Sequence, residues 1–155
     1  MQKTLILHNI RSVQNVGAIF RTCDAIGIDN IILSGYTPTP LDRFGRVRSD
    51  VAKTALGAEK NVKWEYHKTI TPVLNKLKKE GFEIVAVEQS GRSIDYKKYK
   101  PKGKVAILMG TEVSGISLAT LGKCDVVLEL PMNGKKESLN VSVTAGIVMY
   151  RLFDN

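Results

Sequence analysis

The chain has only two cysteines in 155 residues, Cys23 and Cys124. They stand far apart, form no C-x-x-C pair and have no histidine near them in sequence. That excludes a disulfide scaffold or zinc motif and suits core thiols in a reducing cytosol. No apolar run approaches the roughly 20 residues that cross a bilayer. Met1–His8 passes straight into a strand-like run with no signal-peptide cleavage site, so a cytoplasmic protein without a membrane anchor is expected. No G-x-G-x-x-G follows the first strand, which disfavours a dinucleotide-binding domain. No repeat, low-complexity tract or linker divides the chain, so residues 1–155 are expected to form one domain, long enough to bury a core. Acidic residues are scarce: 15 Asp+Glu stand against 23 Lys+Arg, a net charge of +8. Such an excess suits a polyanion, most simply nucleic acid, although many basic domains bind none.

Short apolar runs without alternation, separated by helical segments, are the pattern of a parallel sheet covered on both faces. Strands are expected at Thr4–His8, Asn30–Leu33, Val62–Tyr66, Glu83–Val87, Val105–Met109 and Val126–Leu130. Helices are expected at about Val16–Ile26, at Thr71–Lys79, where Gly81 ends the helix, and at Ile116–Leu121. Five or six β runs alternating with helices give an α/β fold. Two segments stand apart from this pattern. Gly35–Lys53 is long for a connection and carries Arg43, Arg46, Arg48 and Lys53, which suit phosphate contacts. Ser90–Lys104 carries Arg92 and five lysines with Tyr96 and Tyr99 between them. Those tyrosines could stack on unpaired bases, or the segment is a solvated basic face.

Three further stretches carry chemistry. In Asn9–Arg21, which includes Arg11, Asn15 can cap a helix and Gly17 allows close approach of another chain or a ligand. Arg21 falls on the same helical face as Gly17, which suits a phosphate; a capped helix with one surface arginine fits equally. In Leu108–Gly115 a buried strand ends at Gly110, and Gly110 and Gly115 bracket Glu112. Strand carboxyl ends are where α/β sheets bind ligands, although a tight strand-to-helix turn needs glycines too. In Pro131–Asn155, Pro131 ends a strand, Ser138 is a candidate N-cap, and the helix after it is apolar round nearly its whole circumference. Such a helix must be buried on more than one side; the sheet and a second subunit are expected to cover it, and an ordinary C-terminal core helix fits equally.

Taken in order, Asn15-x-Gly17-x-x-x-Arg21, Gly110-x-Glu112-x-x-Gly115 and Ser138-Leu139-Asn140 resemble the three signature motifs of the SpoU (TrmH) family. Gly57-Ala58-Glu59 also resembles a family segment. These are S-adenosylmethionine-dependent RNA 2′-O-ribose methyltransferases of the SPOUT superfamily, and the resemblance runs from about residue 5 to the C-terminus.

The resemblance implies a parallel-sheet α/β domain with a C-terminal deep trefoil knot, and a homodimer with the knots in its interface. The donor site would be built from Glu88–Gln89, Met109–Gly110, Leu130–Met132 and Ser138–Leu139, with Glu88, Met109, Gly110, Leu130, Met132, Ser138 and Leu139 as contacts. It assigns the central catalytic role to Arg21 as phosphate clamp. A guanidinium is a very weak acid, so proton abstraction by a free-base arginine is the harder role. Asn15 would orient Arg21 or the ribose. Ser138 and Asn140 would position the donor and the arginine, within one subunit or across two. Gly17, Glu112 and Gly115 would support the loops, and no metal is implied. Arg11, Arg43, Arg46, Arg48 and Lys53 are the expected RNA contacts, with tRNA favoured over rRNA. A non-catalytic RNA-binding module and a small-molecule methyltransferase are the rival readings.

Overall fold

The computed structural model describes residues 1–154. Its centre is β1 (Gln2–His8), which pairs in parallel with β2 (Asn30–Ser34) on one side and β6 (Lys104–Met109) on the other, Leu5 lying opposite Ile31 and Ile107. The remaining strands are β3 (Trp64–His67), β4 (Glu83–Val87), the two-residue β5 (Ile94–Asp95) and β7 (Val126–Glu129). They form one seven-stranded sheet in the order β3-β2-β1-β6-β4-β7-β5, and every pairing is parallel. After β5, each later strand enters between strands already placed: β6 between β1 and β4, β7 between β4 and β5.

Both faces of the sheet are covered, which explains the unbroken apolar runs. Leu5, Leu7, Ile31, Leu33 and Ile107 point into one core with α1 (Val13–Ile26), α2 (Ser49–Ala55), α3 (Ala58–Asn61) and α6 (Val141–Phe153). Ile6, Ile32, Ile84 and Leu108 point into the other, against α4 (Ile70–Lys79) and α5 (Leu118–Leu121). Cys23 and Cys124 are buried free thiols in these two cores. Burial pushes the Cys124 thiol up to about 11, which keeps it protonated at neutral pH. Among the described residues no helix is long and apolar enough to cross a membrane.

Several local expectations need correction. Helix α1 starts at Val13 rather than Val16. Its N-cap is Ser12, whose hydroxyl accepts from the Asn15 backbone N–H at 3.2 Å, so Asn15 does not cap. The last helix starts at Val141, and Asn140 caps it instead of Ser138. Asn140 Oδ1 accepts from the Ser142 N–H at 2.8 Å and from the Ser142 hydroxyl at 2.6 Å. Helix α5 is also shorter than expected and begins after a Ser117 cap. The end of the arginine-rich segment is α2, which packs Val51 and Ala55 on α1. Tyr96 and Tyr99 pack against the core, and the Tyr99 hydroxyl donates to Glu83, so neither ring is a free stacking platform. Arg92 likewise turns inward, donating to the Leu121 and Cys124 carbonyls.

Gly17 is the tightest point between helices. A Cβ there would lie 1.8 Å from Thr54 Oγ1 and 2.8 Å from the Val51 carbonyl oxygen. The close approach it allows is therefore made by α2 of the same chain, not by a ligand or a second chain. Gly17→Val is expected to push α2 off α1 and lower stability by about 1–3 kcal/mol, the usual range for overpacking. Chemical denaturation checks this; a wild-type midpoint would mean α2 is loosely held.

Candidate active site

The carboxyl ends of β4, β6 and β7 converge on a cleft of about 540 Å³, lined also by Glu137–Val141 at the end of the long loop before α6. That is an ordinary volume for a site holding a cofactor-sized molecule. Glu88 and Gln89 follow β4, Met109 and Gly110 end β6, and Leu130 and Met132 follow β7. Ser138, Leu139 and Asn140 complete the wall. All seven residues expected to contact a donor thus line one cavity. They are drawn from segments up to about a third of the chain apart, because the strand insertions bring those segments side by side.

The walls of the cleft are internally braced. Glu88 Oε2 accepts from the Ile116 N–H at 2.9 Å and its Oε1 from the Gln89 N–H at 2.9 Å. Gln89 Nε2 donates to the Glu137 carbonyl at 2.6 Å, tying the β4 end to the loop before α6. Gly115 has φ +67°, and a Cβ on it would lie 2.0 Å from Glu88 Oε2. Gly110 is required for a related reason: its Cβ would meet Ile116 Cγ1 at 2.5 Å, so the Thr111–Gly115 turn can fold back over the strand end. Gly115→Ala is expected to displace the Glu88 carboxylate and to add about 1–2 kcal/mol of left-handed backbone strain. Ligand affinity at the cleft should fall roughly tenfold by calorimetric titration; unchanged affinity would show that the Glu88 clasp does not shape the site.

Glu112 faces the other way. Its Oε2 accepts from the Arg11 N–H at 3.2 Å, and its Oε1 from the Ser12 N–H at 3.4 Å and Asn15 Nδ2 at 3.2 Å. It therefore fastens the cleft's turn to the N-terminus of α1, where a carboxylate is also favoured by the helix dipole. Partial burial opposes its charge, but these N–H donors and its own backbone N–H outweigh that and hold its pKa below the usual carboxylate value. A folded pKa that is lowered contributes stability above the ordinary carboxylate range, and that contribution is lost as pH falls through the lowered value.

The structure does not bring Arg21 to this cleft. Arg21 is exposed on α1 and lines a separate groove with Ala18, Thr22, Lys53, Thr54 and Tyr150, where α1, α2 and α6 meet. No residue is shared between the walls of the two cavities. Asn15 does not line the groove of Arg21, and its side-chain amide donates to Glu112. The open backbone expected beside Arg21 at Gly17 is covered by Thr54 and Val51.

Beside Arg21, α6 has one uncovered side. Val143 and Tyr150 are 49% and 44% exposed, with the partly buried Ile147 between them on the same face. The opposite side, with Ala145, Val148, Met149 and Leu152, is in the core.

Of the expected RNA contacts, Arg43 and Arg46 are exposed on the Leu41–Val47 hairpin. Arg48 is turned to Asp50, with its Nε at 3.2 Å and a terminal nitrogen at 2.7 Å from the carboxylate. Lys53 is on α2 beside Arg21, and Arg11 is exposed ahead of α1. Sequence reading missed Tyr36, which is 57% exposed; its hydroxyl donates to Thr111 Oγ1 at 3.3 Å at the mouth of the cleft. An exposed aromatic just after a strand was the only local signal for it.

Comparison with known proteins agrees with this arrangement. The model of the SpoU rRNA Methylase family matches residues 2–150. A Staphylococcus aureus protein provisionally named a TrmH family tRNA/rRNA methyltransferase is 32% identical over 153 residues, which is 99% of this chain and 59% of the relative. The chain thus spans about three-fifths of the length of such relatives. The crystal structure of the A. aeolicus TrmH/SpoU tRNA modifying enzyme superposes with a TM-score of 0.83 at 26% identity, covering 97% of this chain and 74% of that one. An RNA 2′-O ribose methyltransferase structure superposes with a TM-score of 0.82 at 25% identity, covering 97% and 55%. The family model covers nearly the whole chain and relatives match it end to end: the chain belongs to the SpoU (TrmH) methylase family.

Proposed function

We propose that this chain transfers a methyl group from S-adenosylmethionine to a ribose 2′-hydroxyl of RNA, with tRNA favoured over rRNA. The observation that carries the proposal is the charge of the cleft. In a chain of net charge +8, its walls carry the carboxylates of Glu88, Glu129 and Glu137, with that of Glu112 turned to the start of α1, and no lysine or arginine. Such a site repels phosphate and suits a molecule whose sulfonium and amine are both cationic. Met109, Leu130, Met132, Leu139 and Val141 supply apolar surface for a flat ring. The residues present fit the donor, and when bound it would supply an activated methyl group.

The chain's own residues then have to bring the nucleophile. A ribose hydroxyl reacts only when it is held in line and its proton is removed. Arg21, with Lys53 beside it, forms the cationic counterpart of the acidic cleft and would hold the target phosphate. Because its groove and the cleft share no wall, Arg21 of one subunit would serve the cleft of a second. The uncovered Val143–Ile147–Tyr150 stripe supports a homodimer that makes this possible. Ser138 and Asn140, which line the cleft, would position the incoming ribose or the partner's arginine. The late insertion of β6 and β7, followed by the Gln89–Glu137 tie, supports a knotted C-terminal region. The tRNA preference rests on the likeness to the tRNA modifying enzyme.

Two binding measurements test the proposal. S-adenosylmethionine should bind with S-adenosylhomocysteine as a competitor, and affinity for RNA should fall steeply with salt. Absent donor binding would favour a non-catalytic RNA module; a flat salt dependence would favour a small-molecule substrate.

A further inference from the structure

The tip of the Leu41–Val47 hairpin carries a largely exposed phenylalanine that belongs to neither core. Phe44 is 66% exposed, and the guanidinium carbons of Arg43 and Arg46 lie 4.8 and 4.9 Å from its ring centroid. The hairpin that presents it is rigidly built. Leu41 and Val47 form an antiparallel bridge, and the Asp42 N–H donates to the Arg46 carbonyl at 2.8 Å. Asp42 Oδ1 accepts from the N–H groups of Phe44 and Arg46 at 2.8 and 2.9 Å, while Oδ2 pairs with Arg46 Nε at 2.9 Å. Gly45, at φ +75°, closes the turn. An exposed aromatic held in place by four hydrogen bonds loses little conformational freedom when it is covered.

From this we propose that Phe44 is a stacking platform for an unpaired base of the RNA substrate, with Arg43 and the free nitrogens of Arg46 on the flanking phosphates. The inference rests on the RNA reading above and gives it a specificity-determining residue. A base offers a flat π surface to the ring, and a guanidinium displaced from the ring finds a phosphate beside it. Arg46 can make that contact because Asp42 engages only its Nε. A second copy of this chain is a poorer occupant, since it would bring like charge to a tip already carrying two arginines. Duplex RNA is poorer too, because its bases are stacked inside the helix.

The test is equilibrium binding of the full chain to an unmodified tRNA transcript and to an RNA duplex without unpaired bases, at several salt concentrations. Phe44→Ala should bind the tRNA roughly tenfold more weakly at every salt concentration, with an unchanged salt slope because no charge is removed. Phe44→Trp should return affinity to within about twofold of wild type. Arg43→Gln should lower the slope by about one. The duplex should not distinguish Phe44→Ala from wild type, and donor affinity should be the same in all variants. Tenfold loss on both RNAs, or tRNA affinity within twofold for Phe44→Ala, would overturn the inference. So would a change of assembly state for Phe44→Ala in sedimentation, which would place the ring against a second copy. Because binding is read without methyl transfer, an inactive wild type that still binds tRNA would remove the enzyme reading and leave this comparison intact.

Discussion

Arg21→Ala is expected to lower methyl transfer by two or more orders of magnitude while leaving donor affinity within about twofold of wild type. The two halves of that expectation come from separate observations. Arg21 is not among the residues that line the cleft, so its removal should take nothing from the donor. Yet the cleft contains no cation to hold a phosphate, and the groove with Arg21 and Lys53 does. A preorganised charge aimed at a reacting group accounts for losses of about 10²–10³ when removed. Arg21→Lys should fall between the two, keeping the charge but losing the planar fork. Single-turnover transfer and calorimetric donor titration read the two quantities separately. A near wild-type rate for Arg21→Ala would remove the arginine from the mechanism.

The second large effect concerns assembly. Val143→Glu combined with Tyr150→Glu places two carboxylates on the uncovered stripe of α6, where they should cost a dimer its interface and the enzyme its activity together. Both residues are about half exposed in the single chain, so the fold and the donor cleft should survive. Sedimentation should show a monomer that still binds donor and transfers no methyl. A subunit-mixing experiment sharpens the point. Arg21→Ala and Asn140→Ala should each be inactive alone, the latter after losing the α6 cap at a cost of about 1 kcal/mol. Mixed dimers should recover part of the wild-type rate, because one of their two sites then has both residues. A fully active monomer, or mixtures no better than their components, would place Arg21 and the cleft of the same chain together.

What the sequence made legible were features with a local cause. Continuous apolar strands meant a sheet buried on both faces, and Gly110, Gly115 and Pro131 marked where strands give way to loops. The family resemblance carried by the three motifs pointed to seven residues from four segments, and all seven line the cleft. What was missed depended on neighbours distant in sequence. Helix α2 has only Val51 and Ala55 inward and no side-chain cap, a pattern too sparse to distinguish from loop. Ser12 and Asn15 are both good capping types, and only the hydrogen bonds decide between them; the Asn15 amide is taken by Glu112, 97 residues away. Tyr96 and Tyr99 looked available because the core they pack on is assembled from other strands. Gly17 looked like a ligand contact because α2 was not in view.

One transfer experiment tests ribose methylation by this chain most directly. Labelled methyl from S-adenosylmethionine is offered to separated tRNA and rRNA that lack their native modifications, and the RNA is then digested with alkali. Label in an alkali-resistant dinucleotide from tRNA is the predicted result, since a 2′-O-methyl group blocks cleavage at the next phosphate. Label confined to rRNA would keep the chemistry and change the substrate. Label released in ordinary mononucleotides, or none in either pool from a dimer shown to bind donor and RNA, would contradict ribose methylation by this chain.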